Sequence, residues 1–212
     1  FQFLSNCPEC GTVLIREEDE AAHYCPNNKG CPPQIKGRIE HFISRKAMDI
    51  NAAEATIDIL FREVRIKDVS DLYRIEYNVV KELDRFGEKS ADRLLQSIEA
   101  SRAIPFARVL FALGIRYVGE TVARKLAEAF LSMDALIEAD RESLEEVDEI
   151  GESIASSLIS YFAAGENRKL IERLKTAGLQ MSMEQRTEKG SKLLSGKTLV
   201  ISGVFVKHSR EE

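Results

Sequence analysis

Ile115-Arg116-Tyr117-Val118-Gly119-Glu120-Thr121-Val122-Ala123 is the middle one of three near-copies of a single short pattern. Leu83-Asp84-Arg85-Phe86-Gly87-Glu88-Lys89-Ser90-Ala91 precedes it and Val147-Asp148-Glu149-Ile150-Gly151-Glu152-Ser153-Ile154-Ala155 follows, so the three glycines stand 32 residues apart. Each copy has apolar residues four places and one place before the glycine, a glutamate after it and an alanine four places on. The segment after each glycine carries an apolar stripe at helical spacing, such as Ala91, Leu94, Leu95 and Ile98. A recurring unit of this length is one helical hairpin repeated. Glycine between two helices is expected to supply the positive φ of a tight turn. The residues after it open a helix whose first N–H groups have no partner within the helix. With the positive end of the helix dipole, such amides form a small anion site. Tandem sites could follow successive phosphates of a nucleic-acid strand. Plain helix packing explains the apolar and alanine positions equally well, and glycine ends helices in many folds.

A second signal lies in the first 31 residues, which hold all four cysteines, Cys7, Cys10, Cys25 and Cys31. Their spacing, C-x2-C, fourteen residues, then C-x5-C, suits two thiolate pairs closing on one tetrahedral zinc. Four thiolates leave no open coordination position, so the metal is expected to be structural. His23 is expected to be a solvated turn residue and not a ligand. A module this small folds on metal binding and not on apolar burial.

Composition sets the remaining bounds. Of 212 residues, 44% are hydrophobic and 31% charged, enough for a packed core under a soluble surface. No apolar run approaches the roughly 18 residues of a membrane span, and no signal peptide is visible, so a cytoplasmic setting is expected. The net charge of −5 argues against a uniformly basic nucleic-acid binder. The bases are clustered, however, over 29–46 and over 102–125, while acids gather over 142–152. The expected class is mainly α. A four-cysteine zinc finger (1–33) is followed by a helical domain (34–181) with repeated hairpins near 84–91, 116–123 and 148–155. The first helix is expected over 34–48. A polar linker (182–192) then leads to a strand-like run, 193–212, which is expected to be the truncated start of an α/β domain.

Taken together, these motifs resemble the C-terminal half of bacterial NAD-dependent DNA ligase. The resemblance rests on Cys7-Pro-Glu-Cys10-Gly, Cys25-Pro…Gly30-Cys31-Pro, the run from Gln34 through His41 to Asp49, Phe86-Gly-Glu-Lys-Ser-Ala91, Phe111-Ala-Leu-Gly-Ile-Arg-Tyr-Val-Gly-Glu120 and Gly196-Lys-Thr…Ser202-Gly-Val-Phe205. It implies a zinc finger, four tandem helix-hairpin-helix motifs, the first of them near 50–57, and the opening of a BRCT domain. It also implies a monomer that grips nicked duplex DNA by its phosphates on the minor-groove side, with protein partners through the BRCT segment. The DNA contacts it implies are Gly87, Glu88, Lys89, Ser90, Gly114, Arg116, Gly119, Glu120, Thr121, Gly151 and Ser153, and the zinc ligands are Cys7, Cys10, Cys25 and Cys31. The family's Lys-x-Asp-Gly adenylation motif is absent here. NAD and magnesium are therefore expected to serve only the whole enzyme, and this segment alone to be inactive. The chain departs from the family at the first hairpin, where Met48-Asp-Ile-Asn-Ala-Ala-Glu-Ala-Thr56 lacks glycine. That turn is expected to be strained and not to bind DNA in the usual way. The alternatives are a non-catalytic nucleic-acid module of another repair or recombination protein, and a zinc-stapled helical protein that docks other proteins.

Overall fold

The computed structural model describes residues 3–16, 21–28, 30–84 and 86–184. The expected BRCT start and most of the expected linker lie outside the described residues.

The first described segment is a knuckle and a ribbon. Cys7 N–H donates to the Thr12 carbonyl at 2.8 Å and Gly11 N–H to the Cys7 carbonyl at 2.8 Å, with Gly11 at φ 71. Antiparallel bridges join Asn6 to Val13 and Ile15 to Tyr24. Asn27 Oδ1 accepts from Gly30 N–H at 2.9 Å, which turns the chain so that Cys31 becomes the N-cap of the first helix, followed by Pro32. The last cysteine is therefore also the first residue of the helical domain.

Helices then follow in short lengths: α1 (Pro32–Ile43), α2 (Glu54–Ile59), α3 (Tyr77–Lys81), α4 (Glu88–Ser101), α5 (Phe106–Ala112), α6 (Glu120–Phe130), α7 (Met133–Glu138), α8 (Arg141–Glu145), α9 (Glu152–Ala163) and α10 (Gly165–Thr176). A π-helical turn, Leu60–Val64, extends α2, and a 3-10 turn, Val69–Arg74, precedes α3. The first helix is shorter than its apolar spacing predicts. Ser44 turns out of it at ψ 154, and the next residues fold back, with Met48 N–H bonded to the Phe42 carbonyl and Asp49 N–H to the Ser44 carbonyl. The carbonyls freed beyond that turn are taken from outside by Arg108, which reaches Arg45 at 2.6 Å and Lys46 at 3.1 Å. At the other end of the domain, Gly178 stands one place beyond the C-cap of α10 at φ 89, as a helix-ending glycine should.

The helices enclose one core, to which α1 contributes Ile35, Ile39, Phe42 and Ile43, α4 Leu94 and Ile98, α5 Phe106 and Leu110, α6 Ala123 and Leu126, and α9 Ala155 and Leu158. Tyr73 meets Phe42 edge-on at 6.3 Å and shares a 2.9 Å hydrogen bond with Ser101; its burial pushes its phenol up to about 12. Arg173 of α10 reaches back to Asp68 (2.6 Å) and Ser70 (2.9 Å) at the 3-10 turn, tying the last helix to the first half of the domain. Leu126 is fully buried in the third hairpin helix. Leu126→Ala is therefore expected to cost about 2–5 kcal/mol, measured by denaturant unfolding of the zinc-loaded chain. No helix among the described residues is long and apolar enough to cross a membrane.

Candidate nucleic-acid interface and metal centre

The ribbon and knuckle bring the four cysteines together. Their Sγ atoms all lie within 4.8 Å of one another, with Cys7–Cys31 at 3.8 Å and Cys10–Cys25 at 3.5 Å. Zn–S bonds of about 2.3 Å in a tetrahedron set sulfurs roughly 3.8 Å apart, so the cluster has the dimensions of a zinc centre and is too open for disulfides. The four thiols are free, and all except half-buried Cys10 are buried. Thr12 holds the Cys10 thiol down at about 6 through its hydroxyl, whereas burial pushes Cys31 up to about 12. A thiolate at Cys31 therefore needs a cation beside it. The chemistry and spacing fit structural zinc, held by Cys7, Cys10, Cys25 and Cys31. His23 is not one of the set. It is half-buried, not solvated, and stacks on Phe3 at 4.6 Å.

The three sequence repeats are three hairpins of one geometry: α3–α4, α5–α6 and α8–α9. The apolar pair of each turn is closed by one hydrogen bond, from Phe86 N–H to Leu83, Val118 N–H to Ile115 and Ile150 N–H to Val147, at 3.0 Å in every case. The glycine is then the N-cap, and its carbonyl accepts from the alanine four residues on, at 3.0, 2.9 and 3.0 Å for Ala91, Ala123 and Ala155. All three alanines are fully buried, which lets the two helices approach.

The glycines do not supply the positive φ expected of them. Gly87, Gly119 and Gly151 are extended, at φ −134, −78 and −96. The left-handed residue comes two places earlier, at Tyr117 (φ 64) and Glu149 (φ 67). Nothing lies within 4 Å of where a Cβ would stand on any of the three glycines. Neither backbone strain nor internal crowding demands glycine at these positions. What glycine does there is leave the amide end of the helix uncovered. Neighbouring helices are closed differently: Ser132 and Asp140 cap α7 and α8 with side-chain oxygens at 3.1 and 2.9 Å. Gly114 is of the other kind. It has φ 64, and a Cβ there would stand 3.3 Å from His41, so its requirement comes from the fold.

The first hairpin differs in length and capping. Asp49 takes the left-handed turn (φ 52), but the N-cap is Ala53, four residues later and extended at φ −81. Its alanine is therefore not strained, contrary to expectation; the chain lengthens the turn and places the positive φ on Asp49, a residue that tolerates it. Helix α2 then runs only six residues before its π-helical turn.

Charges around the hairpins are more heavily paired than clustering in the sequence suggests. The first-turn glutamates face bases: Glu88 with Lys81 at 2.8 Å, Glu120 with Lys46 at 3.6 Å and Glu152 with Arg141 at 3.8 Å. Lys125 is taken by Asp148 (2.6 Å) and Glu149 (3.1 Å) of the next turn and holds the Asp148 carboxyl below its usual range. Arg102 pairs with Glu99 at 2.7 Å. Gly87, Glu88, Lys89 and Ser90 line an open groove of about 730 Å³ with Arg93, and with Asn51 and Thr56 of the first hairpin. Glu120 and Thr121 line a smaller hollow of about 170 Å³ with Arg108 and Arg124. Gly151 and Ser153 are exposed, amid Glu145, Glu146, Asp148 and Glu149. Thr56 and Asn51 escape a sequence reading because the groove they share with Gly87 is made by chain folding over more than 30 residues.

The comparisons agree with this arrangement. Residues 6–32 match the NAD-dependent DNA ligase C4 zinc finger domain, and residues 108–171 match the helix-hairpin-helix motif. The chain is 54% identical over its full length to the DNA ligase of Parabacteroides distasonis and 53% identical, also over its full length, to that of Bacteroides fragilis. The DNA ligase of Porphyromonas gingivalis is 50% identical over 99% of the chain. The chain spans about a third of the length of these relatives: 32%, 32% and 31%. By its cysteine cluster, its helical hairpins and its relatives, the chain carries an NAD-dependent DNA ligase C4 zinc finger and a helix-hairpin-helix region, and it matches a C-terminal segment of bacterial DNA ligases.

Proposed function

We propose that this chain holds nicked duplex DNA from the minor-groove side through backbone phosphates, which seat on the uncovered helix ends at Gly87, Gly119 and Gly151. The observation that carries this reading is that three N-cap glycines recur with no requirement for glycine inside the fold. An external group that must come close to backbone amides supplies the requirement. Contacts are assigned to the amides of Glu88, Lys89, Glu120, Thr121 and Ser153 and to the side chains of Lys89, Arg116, Thr121 and Ser153, whereas Ser90 holds the turn, its hydroxyl accepting from the Gly87 N–H and donating to the Gly87 carbonyl, both at 2.9 Å. Gly114 keeps the turn before Arg116 in shape. The first hairpin, with a six-residue helix, contributes groove wall and not an amide site.

In the whole enzyme, NAD adenylates a lysine outside this chain, AMP passes to the 5′-phosphate of the nick, and the 3′-hydroxyl displaces it with magnesium present. This segment alone binds DNA and seals nothing. It acts as a monomer, with residues 34–181 as the hairpin unit.

The test is binding of the zinc-loaded chain to a nicked duplex across a salt series. Each phosphate neutralised contributes about −0.9 to the slope of log K against log salt, so a clamp of two or three contacts gives a slope of roughly −2 to −3. Binding insensitive to salt would overturn the reading in favour of a protein-docking surface. The hairpins are not equivalent. Gly151→Glu is expected to lower affinity less than Gly119→Glu, because four acids around Gly151 already oppose phosphate. Equal losses would refute the ranking.

A further inference from the structure

We propose that Tyr24, in the zinc module, is a positioning residue for the Gly119 hairpin, holding Arg116 in place together with Tyr117. The inference rests on the phosphate-grip reading and deepens it. The Arg116 guanidinium carbon lies 5.8 Å from the centre of the Tyr24 ring and 5.0 Å from that of Tyr117. The two rings reach it from separate parts of the fold, 92 residues apart in the case of Tyr24.

The backbone that carries each ring is held in place. Tyr24 is locked to Ile15 by a reciprocal pair of backbone hydrogen bonds at 3.0 and 2.9 Å, and its neighbour Cys25 is a zinc ligand of the cluster. Tyr117 occupies the left-handed position of the turn at φ 64, a place that disfavours bulky side chains, and it stays 53% exposed there. The Arg116 backbone is anchored separately, its carbonyl accepting from the Ser157 hydroxyl of α9 at 2.8 Å. An arginine side chain is ordinarily mobile, and a cation held over aromatic faces loses that freedom before any ligand arrives. The hydrogen-bonding edge of a guanidinium suits a phosphate in two-point contact. Three residues before the Gly119 N-cap, a pre-placed Arg116 would add a charged contact to the amide end of α6. Order in the zinc module thereby becomes a condition for full DNA binding by a hairpin that contains no zinc ligand.

The test uses the zinc-loaded chain and a nicked duplex, with Tyr24→Leu, Tyr24→Phe, Arg116→Ala, Gly119→Glu and the Tyr24→Leu/Arg116→Ala pair. Zinc content is measured for each. Tyr24→Leu is expected to keep its zinc, to lower affinity about 3- to 5-fold and to flatten the salt slope by about 0.9. Tyr24→Phe, which keeps the ring and drops the hydroxyl, restores both. The paired variant is no weaker than Arg116→Ala alone, because Tyr24 acts through Arg116. In the DNA-free protein, the Arg116 side-chain protons are expected to show ring-current shifts in NMR spectra that shrink in Tyr24→Leu to the part that Tyr117 contributes. Unshifted protons in the unmodified chain, or a Tyr24→Leu loss that adds in full to that of Arg116→Ala, would overturn the proposal. If Gly119→Glu weakens binding and Tyr24→Leu does not, only the positioning role falls. If neither matters, or the chain binds no DNA, the phosphate-grip reading falls with it.

Discussion

Stripping zinc with a chelator is expected to unfold residues 6–32 while leaving most of the helical domain intact. The module buries little besides the cysteines themselves, with Leu14 half-buried against them and Val13 and Ile15 exposed. Structural zinc contributes on the order of 10 kcal/mol or more to modules of this kind, far more than the burial seen among the described residues of the ribbon supplies. Burial pushes Cys31 up to about 12, and without a cation that thiol returns to its neutral form. Because thiols must lose protons to bind metal, zinc affinity should also fall as pH is lowered. The effect should reach α1 only at its first turn, where Cys31 is the N-cap, since Ile39 and Phe42 remain locked in the helical core. Amide hydrogen exchange with and without chelator checks this. Loss of protection confined to the knuckle, the ribbon and the start of α1 is the expected pattern, with helical circular dichroism nearly unchanged. Full protection of 6–32 in metal-free protein would show that the cysteines do not hold the fold.

Gly119→Glu is expected to lower affinity for nicked duplex by about 10- to 100-fold with almost no change in stability. A charge-assisted hydrogen bond to an anion is worth about 1.5–3 kcal/mol. The new carboxylate would both block the amide end of α6 and repel the phosphate. Stability should hold within about 0.5 kcal/mol, because Gly119 is extended and no atom stands within 4 Å of the added Cβ. Gly114→Ala, five residues away, should do the reverse. It forces alanine into φ 64 and against His41, costing about 1–2 kcal/mol of stability, with little loss of DNA affinity once folded. Thermal unfolding and DNA titration on the two variants separate the roles. If Gly119→Glu unfolds the chain, or Gly114→Ala is the one that loses DNA, the division between a fold glycine and a ligand glycine is wrong.

Much of the plan is written in local spacing. The Cys7–Cys31 pattern specifies a metal cluster because thiolate pairs on a knuckle need only a short ribbon to meet. The 32-residue repeat specifies hairpins because the apolar pair, the glycine and the alanine act within one turn of one another. Backbone detail is less legible. The repeat points to glycine as the left-handed residue, yet the turn puts Tyr117 and Glu149 there. An alanine N-cap in the first hairpin reads as strained, yet the longer turn from Asp49 to Ala53 relieves it. Both outcomes depend on how the apolar pairs are pulled into the core, which sets the φ of the residue between them.

The sequence by itself therefore determined the cysteine cluster, the repeat and the family resemblance, all of which rest on contacts within a few residues or on motifs of fixed order. Only the tertiary structure decided which charges are left for a ligand. Lys125 is consumed by Asp148 and Glu149, Arg108 by the carbonyls of Arg45 and Lys46, and Arg116 is set between Tyr24 and Tyr117. These partners lie between one and 92 residues away along the chain. The reason is physical: an apolar stripe buries itself on whichever neighbour is at hand, but a surface charge takes the partner that the finished packing brings within about 4 Å.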